Sequence, residues 1–511
     1  MTDAGAVEAV LAARVLEALL REDYGGLRSR VRAGALALPG RAVPLARPGF
    51  LADWAVDAAG LRLADVLAAV RALADPRDDV AAFERECAAA LAAHRADAAL
   101  LPRTLARLRG ADRLGPGVFY ETLAAFAGHP VHPLGRARTG LSAADLERHA
   151  PEYAPEFALR WAEVGGDRVT AGTLPDFWPD GLFPVHPLAV PLVAAEPGAR
   201  VLPADAVPPV RVRPTLSMRT VVAATGEHVK VPLPTSTLGL RNIRTIKPAT
   251  LGDGALAERL LRRVLEREPH LPVLLADEQT YGHAGSPLLA YLVRRFPAAT
   301  AGRHVVPVAA LLADDPDGGP VIARWDVRAL FRAFLDALFA WNVTLFRYGI
   351  ALEAHQQNVA LVLGDDPRDL RLLIKDNDGA MVDPARLAAR LRTRDDPAPF
   401  ADARMRTADP GALARVFTTI TLHLCAAAPA FGLAARGLLP DAVALVRDRL
   451  AAALGPGDAF LRAATLDAPR LPGKAMLTAG TLVDKARTGA ADINKHYGPS
   501  GPNYLRDEPC S

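Results

Sequence analysis

Cysteine and net charge are both scarce in this sequence of 511 residues. The three cysteines, Cys87, Cys425 and Cys510, lie far apart and are odd in number, so they indicate neither a disulfide framework nor a zinc site. Lys+Arg amounts to 60 against 57 for Asp+Glu, a formal net charge of +3. This balance gives no overall electrostatic reason to bind nucleic acid or a membrane. We therefore expect a cytoplasmic protein that binds neither.

Lysine is scarce as well, because only six of the 60 basic residues are lysine and the rest are arginine. A coding bias toward arginine explains the excess, and in such a chain a position that retains lysine is informative. The six lysines are Lys230, Lys247, Lys375, Lys474, Lys485 and Lys495.

The start of the chain does not have the pattern of a secretory leader. Apolar residues recur at helical spacing from Val7 to Leu19, which predicts an amphipathic helix. One other stretch, 416–435, has no charged residue and approaches the length of a membrane span. Its threonines, His423 and Pro429 favour instead a buried helix that ends near the proline.

The composition is that of a globular protein of two to four domains, with 50% hydrophobic and 23% charged residues. Helical periodicity dominates residues 1–110 and 385–470 and returns at 254–268 and 325–348. Residues 111–190 are rich in Gly, Pro and His and predict ordered loops.

Strand patterns occur between these helical regions. Residues 221–222 and 229–231 flank a Thr-Gly-Glu turn and predict a β-hairpin. A second strand pair is expected at 358–363 and 370–375, and an irregular tail from residue 488. The sequence predicts an α+β fold with a helical periphery around at least one antiparallel sheet.

The first cluster of polar residues contains His129, His132, Arg136 and Arg138 among rigid prolines. A guanidinium can bind a carboxylate or phosphate through two parallel hydrogen bonds, so an anion site is one interpretation. The alternative is an ordered loop whose histidines bond backbone carbonyls. A metal site is disfavoured because no third ligand is nearby.

The second cluster surrounds the predicted hairpin. We expect Ser217 and Arg219 to share one face of its first strand, with Thr220 on the other face. These hydroxyl, guanidinium and ammonium groups can form a phosphate cradle, although a solvated sheet face is the alternative. No glycine-rich loop of the Walker or Rossmann type accompanies them. The cluster consists of Ser217, Arg219, Thr220, Lys230, Arg241 and Arg244.

Two more clusters lie near the second strand pair. Residues 353–358 (EAHQQN) form a helix-to-strand corner that offers donors and acceptors to a nucleotide and a divalent metal; a capped turn is the alternative. In the segment 375–379 (KDNDG), Asp376 and Asp378 can hold Mg²⁺ through oxygen ligands, with a plain turn as the alternative. Together the four clusters suit ATP-dependent activation of a carboxylate.

In this order and spacing, the motifs resemble those of the IucA/IucC-type siderophore synthetases that work independently of nonribosomal peptide synthetases. The similarity runs from about residue 115 to 385. It rests on these segments: GHPVHPLGRARTGLS, YAPEF at 153–157, FPVHP at 183–187, SMRT with the Lys230 hairpin, EAHQQN and KDNDG.

The resemblance implies a cupped-hand fold of thumb, fingers and palm, in a homodimer. We assign 1–165 to a helical thumb-like domain with the His-Pro loop, 166–325 to a fingers-like domain with the hairpin, and 326–511 to a mostly helical palm-like domain. Such enzymes adenylate a carboxylate, typically citrate or a related acid, with Mg-ATP and release pyrophosphate. An amine or a hydroxyl then attacks the acyl-adenylate.

The resemblance also implies roles for single residues, of which Arg219, Lys230, Arg244 and His355 would be catalytic. ATP contacts would come from Ser217, Arg219, Thr220, Lys230, Arg241 or Arg244, Gln357 and Asn358. Substrate contacts would come from His132, Arg136, Arg138 and His355. The Mg²⁺ ligands would be Asp376, Asp378 and Glu353.

The chain departs from the family pattern at three places. Arg136 stands where the family has lysine, Lys375 where it has arginine, and Leu188-Ala189 where Trp and Gln usually follow the second His-Pro. The last change leaves open a ligase of the same fold acting on a non-citrate acid. A non-catalytic ligand-binding homologue and a metallohydrolase built on the histidines of the His-Pro segments are further alternatives.

Overall fold

The computed structural model describes residues 3–46, 50–490 and 496–506. Lys495 and Cys510, both noted in the sequence, lie outside these residues. The predicted amphipathic helix at the start of the chain is confirmed. The α-helices are α1 (Asp3–Arg21), α2 (Leu63–Leu73), α3 (Val80–Leu108), α4 (Phe119–Ala124), α5 (Ala143–His149), α6 (Val190–Ala194), α7 (Pro248–Arg267), α8 (Val327–Arg347), α9 (Pro384–Leu391), α10 (Pro410–Val416), α11 (Ala428–Ala435), α12 (Ala442–Ala453), α13 (Ala459–Thr465) and α14 (Lys485–Thr488).

The strands of the described residues form six sheets. They are β1 (Val31–Arg32), β2 (Ala35–Leu38), β3 (Arg41–Ala46), β4 (Ala55–Val56), β5 (Phe157–Ala158), β6 (Arg160–Val164), β7 (Val169–Ala171), β8 (Phe183–Val185), β9 (Ala199–Val201), β10 (Arg211–Pro214), β11 (Thr220–Ala223), β12 (His228–Lys230), β13 (Val273–Leu275), β14 (Asp277–His283), β15 (Ala290–Arg295), β16 (His304–Pro307), β17 (Ile350–Ala351), β18 (Val359–Leu363), β19 (Arg371–Ile374), β20 (Met381–Val382), β21 (Arg470–Lys474) and β22 (Tyr497–Pro502).

The largest sheet is antiparallel and has the strand order β5-β10-β11-β12-β15-β14-β7. The predicted hairpin is confirmed, since β11 pairs with β12 and places Thr220 opposite Lys230. Val221, Val229 and Val293 pack on one face of this sheet. A slip by one residue would move them to the face that carries Thr220 and Lys230, so their packing fixes the register.

The main hydrophobic core surrounds helix α8. Phe331, Phe334 and Trp341 are fully buried there, together with residues of β18 and β19. Each such side chain contributes roughly 1.5–3 kcal/mol by leaving water. The predicted strand pair at 358–363 and 370–375 is confirmed, because β18 and β19 pair antiparallel inside the sheet β13-β19-β18-β16.

The N-terminal region and the tail correct two predictions. Residues 1–110 are not wholly helical, because β1 to β4 form a small sheet in which Leu36 and Leu38 alternate into the core. The tail is not wholly irregular, since β22 pairs with β21. Its sequence, Tyr-Gly-Pro-Ser-Gly-Pro, lacks the apolar alternation of an amphipathic strand, so the pairing depends on a distant partner.

The apolar stretch 416–435 is helical and buried, as predicted, but it does not end near Pro429. A π-helical segment, Phe417–Ala427, leads without a break into α11, so the helix continues through Pro429 to Ala435. By length and composition two helices could cross a membrane, Val327–Arg347 and Pro410–Ala435. In the most apolar part of each helix, 72% and 83% of the residues are buried inside the fold, as in core helices. The α+β class is confirmed, and the division into three domains stays a prediction.

Candidate active site

A cavity of about 390 Å³ brings together segments from residue 124 to residue 476. More basic than acidic side chains line it, which favours anionic ligands. The basic residues are Arg136, Arg138, Arg219, Lys230, Arg244, Lys247, Arg404 and Lys474, and the acidic ones are Glu353, Asp376, Asp378 and Asp402.

Ser217 and Arg219 lie in the turn between β10 and β11, not on the strand face that we predicted, because β11 begins only at Thr220. Met218 turns the chain with a left-handed φ of 65°, and its side chain is buried. The Ser217 Oγ accepts a hydrogen bond from the Thr220 N–H at 3.1 Å. The Arg219 Nη1 donates to the Thr245 carbonyl at 2.8 Å. These bonds fix both polar side chains at the cavity wall.

Lys230 is held between two carboxylates at the same wall. It is 4% exposed, and its Nζ lies 2.5 Å from Asp376 Oδ1 and 3.5 Å from Asp378 Oδ2. Burial alone would raise the pKa of Asp376, but Lys230, Arg294 and Arg219 outweigh burial and hold that pKa well below its usual range. The carboxylate is therefore ionised, and several neighbouring cations stabilise its negative charge.

Arg244, and not Arg241, faces the cavity. Its backbone N–H donates to the Thr235 carbonyl at 2.9 Å, and its side-chain Nε has no hydrogen-bond partner among the described residues. Burial, followed by repulsion from Arg219, lowers the pKa of Arg244 to about 9. Arg241 is exposed, and its Nη1 donates to the Ala479 carbonyl at 2.6 Å. Of the two alternatives, the structure therefore brings only Arg244 to the cluster.

His355, Gln357 and Asn358 also line the cavity, from the loop between β17 and β18. The loop is folded on itself, because the Gln357 N–H donates to His355 Nδ1 at 3.3 Å and Asn358 Nδ2 donates to the Glu353 carbonyl at 3.2 Å. Burial lowers the pKa of His355 to about 4, so its ring is neutral at pH 7. With Nδ1 as acceptor, Nε2 carries the ring proton.

Arg136 and Arg138 reach the cavity wall with their charges already paired. Arg138 bonds both oxygens of Glu152, at 2.5 and 3.1 Å, while Arg136 contacts Asp97 at 2.5 Å and Glu152 at 3.3 Å. Burial alone would raise the pKa of Glu152, but Arg138 and Arg136 outweigh it and lower this pKa to about 2. The two guanidiniums therefore fix α3 and the segment 151–153 to the His-Pro loop.

His132 does not reach the cavity, although we predicted a substrate contact for it. It is 2% exposed, and its Nδ1 accepts a hydrogen bond from the Leu134 N–H. His129 lines the cavity in its place. Its Nδ1 accepts from the Val131 and His132 N–H groups, whereas we expected the ring to donate to backbone carbonyls. The His186 ring packs against His149, with centroids 5.3 Å apart. The part of the chain that the structure describes contains no group of three His, Cys, Asp or Glu side chains close enough to hold a metal on their own. The metallohydrolase alternative therefore has no site, and a Mg²⁺ at the 376–379 turn would need phosphate oxygens as further ligands.

Comparison with known proteins agrees with these motifs. The model of the IucA / IucC family matches residues 117–180 and 179–313, and a model described as a ferric iron reductase FhuF-like transporter matches 327–490. Residues 117–313 thus match the IucA/IucC family. Staphyloferrin B synthase of Staphylococcus aureus (strain NCTC 8325 / PS 47) is 26% identical over 325 residues, which cover 52% of this chain and 54% of that protein. The chain thus spans about half the length of the curated relatives it matches.

Solved structures show the same IucA/IucC-type fold. The ATP-bound aerobactin synthetase IucA from a hypervirulent pathotype of Klebsiella pneumoniae has a TM-score of 0.71 at 18% identity, covering 98% of this chain and 100% of that chain. The petrobactin biosynthesis protein AsbB from Bacillus anthracis str. Sterne has a TM-score of 0.75 at 16% identity, covering 99% and 98%. The predicted architecture is thereby confirmed.

The carboxylates predicted to hold the family's Mg²⁺ lie around the turn at 376–379. The Lys230 ammonium already bridges Asp376 and Asp378, so the space between them accepts a cation. A Cβ on Gly379 would lie 2.7 Å from Glu353 Oε2, so glycine lets this third carboxylate come close. Since Mg²⁺ usually takes one or two carboxylates together with substrate phosphates, the donor set fits a metal that binds with a nucleotide.

Three basic residues of the cavity were not predicted from the sequence, namely Lys247, Arg404 and Lys474. Lys474 ends strand β21, far from any family motif that we recognised. The scarcity of lysine is the signal that could have identified two of them, because three of the six lysines line this one cavity.

Lys375, which replaces the arginine of the family motif, points away from the cavity. Its Nζ donates to Glu121 Oε1 at 2.6 Å, and both side chains are buried. The other oxygen of Glu121 accepts from the Leu216 N–H at 3.1 Å. The pair therefore connects the turn at 376–379 with the turn that carries Ser217.

Neither Leu188 nor Ala189, the residues of the third departure, lines the cavity. Leu188 packs instead against a small cluster that contains Met218 and Leu233. The change therefore affects packing beneath the turn at 217–219, and it gives no structural reason to prefer a non-citrate acid.

Proposed function

We propose that this protein is an ATP-dependent synthetase that adenylates a carboxylic acid, citrate or a citrate-like acid. It then condenses the acyl group with an amine or hydroxyl nucleophile in siderophore biosynthesis. The observation that carries this proposal is the convergence of Arg219, Lys230 and Arg244 with the 376–379 turn on one cavity. The names of its relatives, staphyloferrin B synthase and aerobactin synthetase, support the pathway.

The chemistry explains why one cavity needs several cations. A carboxylate oxygen attacks the α-phosphorus of ATP, an oxygen–phosphorus bond forms, and the bond to the β-phosphate breaks so that pyrophosphate leaves. Two anions must lie side by side, and the transition-state charge spreads over the equatorial oxygens, where fixed donors stabilise it. We propose that Arg219 and Arg244 are such donors, since the backbone contacts of their loops fix both before ligand arrives.

The same turn and hairpin supply the remaining phosphate contacts. The Ser217 Oγ accepts from the Thr220 N–H and lies 3.3 Å from Thr215 Oγ1, whose own proton goes to the Thr220 carbonyl. We propose that the Ser217 hydroxyl exchanges its contact with Thr215 for a phosphate oxygen when ATP binds. Lys230 is paired with Asp376 in this structure and would turn its ammonium to the phosphates when ATP binds. We propose that Asp376, together with Asp378 and Glu353, holds Mg²⁺. Bound there, Mg²⁺ would neutralise charge on the departing pyrophosphate.

The loop at 353–358, which lines the same cavity, is suited to the acid substrate and the nucleotide. We propose that the neutral His355 donates a hydrogen bond from Nε2 to the substrate carboxylate and that the nearby Lys474 attracts the negative charge. Gln357 and Asn358 offer amide groups on the same loop. Hydrogen-bond donors that are fixed by their own backbone contacts orient the carboxylate for in-line attack.

A pyrophosphate-release assay tests the proposal. The purified protein is given ATP, Mg²⁺ and one acid at a time from a panel that includes citrate, with hydroxylamine to trap the acyl group. Citrate-dependent release with equal formation of AMP is the expected result. Release with another acid only would favour the same chemistry in a different natural-product pathway. No release with any acid would indicate a non-catalytic ligand-binding homologue and contradict the proposal.

We further propose that the protein works as a cytoplasmic homodimer. Light scattering on the purified protein measures the assembly directly. A mass near twice the 54.1 kDa of one chain is expected, and a monomer at working concentration would contradict it.

A further inference from the structure

A buried ion pair lies directly behind the turn that carries Asp376, and none of the steps proposed above uses it. Glu278 on β14 is 1% exposed and Arg294 on β15 is 3% exposed. The Arg294 Nε donates to Glu278 Oε1 at 2.5 Å. Burial of two charges costs several kcal/mol of desolvation, which their attraction repays only when further hydrogen bonds satisfy both groups.

Glu278 holds the backbone of the turn. Its Oε1 accepts from the Asp376 N–H at 2.7 Å, and its Oε2 accepts from the Asn377 N–H at 3.3 Å. Asp376 adopts a left-handed conformation, with φ 66° and ψ 69°, which is unfavourable for a residue with a side chain. Two backbone N–H groups that donate to one carboxylate therefore stabilise the conformation that presents Asp376 to the cavity.

Arg294 stands between Glu278 and Asp376. Its Nη2 lies 3.5 Å from Asp376 Oδ1, and this nitrogen has no hydrogen-bond partner in the described part of the chain. Asp376 Oδ1 is bonded instead by the Lys230 ammonium at 2.5 Å. The guanidinium is thus directed toward Glu278, although a second carboxylate is within reach.

We propose that the Glu278–Arg294 pair positions Asp376 for a divalent metal. The Glu278 carboxylate binds the backbone N–H groups of the turn and thereby fixes its conformation. The same carboxylate offsets the charge of Arg294, so that Arg294 does not capture the Asp376 carboxylate. Glu278 is in this sense a positioning residue, since it touches the turn and not the cavity. The inference rests on the proposed function, in which Asp376 binds the metal that accompanies ATP.

Glu278→Gln tests the charge, because glutamine keeps the size and one acceptor of glutamate. Arg294 would then be an uncompensated buried cation 3.5 Å from Asp376, and it would compete with the metal for that carboxylate. Replacing Arg294 as well, in Glu278→Gln/Arg294→Gln, removes the competitor. The double variant separates the proposed charge effect from a general loss of structure.

The measurement is Mn²⁺ binding, followed by electron paramagnetic resonance, to the full-length protein with a non-hydrolysable ATP analogue. Nucleotide binding without metal, in EDTA, is measured in parallel. We expect Glu278→Gln to weaken Mn²⁺ binding about tenfold or more, as outer-shell changes typically do. Metal-free nucleotide binding should stay unchanged, and the double variant should recover most of the lost Mn²⁺ affinity.

Asp458→Asn is the matched control, because Asp458 is a buried carboxylate paired with Arg347 at 2.7 Å and does not line the cavity. It should bind Mn²⁺ like the wild type. The inference, but not the proposed function, would be overturned if Glu278→Gln keeps the wild-type Mn²⁺ affinity or if the double variant shows no recovery. A wild-type protein that binds no Mn²⁺ with nucleotide would overturn the proposed function with it.

If Glu278→Gln does not fold, Arg294→Gln alone decides the question. A neutral glutamine cannot capture the carboxylate, so this variant should keep its Mn²⁺ affinity. A tenfold loss in that variant would overturn the inference, because Arg294 would then assist metal binding directly.

Discussion

Three arginines allow the phosphate cradle to be tested against a matched control in the same segment of the chain. Arg219 and Arg244 line the cavity, whereas Arg241 does not. We consider the variants Arg219→Met, Arg244→Met and Arg241→Met, in which methionine keeps part of the apolar stem. Only the first two should lose adenylation, and all three should fold.

The structure sets the expected magnitudes. Arg219 and Arg241 each donate one hydrogen bond to a backbone carbonyl, at 2.8 and 2.6 Å. Loss of one such bond costs a net of about 0.5–1.5 kcal/mol, so the two variants should be destabilised by similar amounts. Loss of a donor that acts on the transition state typically costs about 100- to 1000-fold in kcat, or about 2.7–4 kcal/mol. The activity of the two variants should therefore differ by about two to three orders of magnitude.

The assay is acid-dependent pyrophosphate release, with thermal unfolding of each variant measured on the same preparation. Normal pyrophosphate release by Arg219→Met would refute the assignment of the turn at 217–219 to phosphate binding. An equal loss in Arg241→Met would show that the contact to Ala479, and not the position at the cavity, controls activity.

Three other predictions concern stability and substrate binding. Burial lowers the pKa of His132 to about 3 and that of His355 to about 4, from an ordinary value of 6.5. Unfolding therefore takes up protons as the pH falls below about 6.5, and the free energy of unfolding should decrease from there down to about pH 4. Urea titrations over this range measure that free energy, and a value that does not change with pH would contradict the prediction. Gly239 has φ 106°, and a Cβ there would lie 2.6 Å from the Gly480 Cα. Gly239→Ala should therefore lower the free energy of unfolding in urea by about 1–3 kcal/mol, and an unchanged value would contradict the contact. Lys474→Met should raise the KM for the acid while metal-free nucleotide binding is unchanged; an unchanged KM would remove Lys474 from the acid site.

Much of the site could be predicted because its signals are local. The hairpin follows from valine-rich strands around a Thr-Gly-Glu turn, and its pairing alone places Lys230 opposite Thr220. His355 and Asp376 lie in short motifs whose order along the chain resembles that of one family. Such features depend on neighbouring residues, and therefore they can be recognised without knowledge of the tertiary packing.

The rest depends on partners that are distant in sequence. Arg136 looks like a substrate cation until α3 brings Asp97 within 2.5 Å of it. Lys474 reaches the cavity only because β21 lies beside the π-helical segment 417–427. Likewise, β22 is a strand only because β21 is its partner, since its own side chains have no strand pattern. Ion pairs and strand pairs of this kind are formed by the fold, and no local spacing encodes them.

The π-helical segment 417–427 also indicates how this cavity could change in evolution. In a π-helix each N–H bonds one residue further back than in an α-helix, so the segment contains more residues than an α-helical path of equal length. Ile420 and Leu424 line the cavity from this segment. Deletion of a single residue could restore α-helical bonding and rotate these two side chains while α10 and α11 stay in place. The apolar wall of the cavity can therefore be remodelled by a change in chain length, a route that a regular helix would not tolerate.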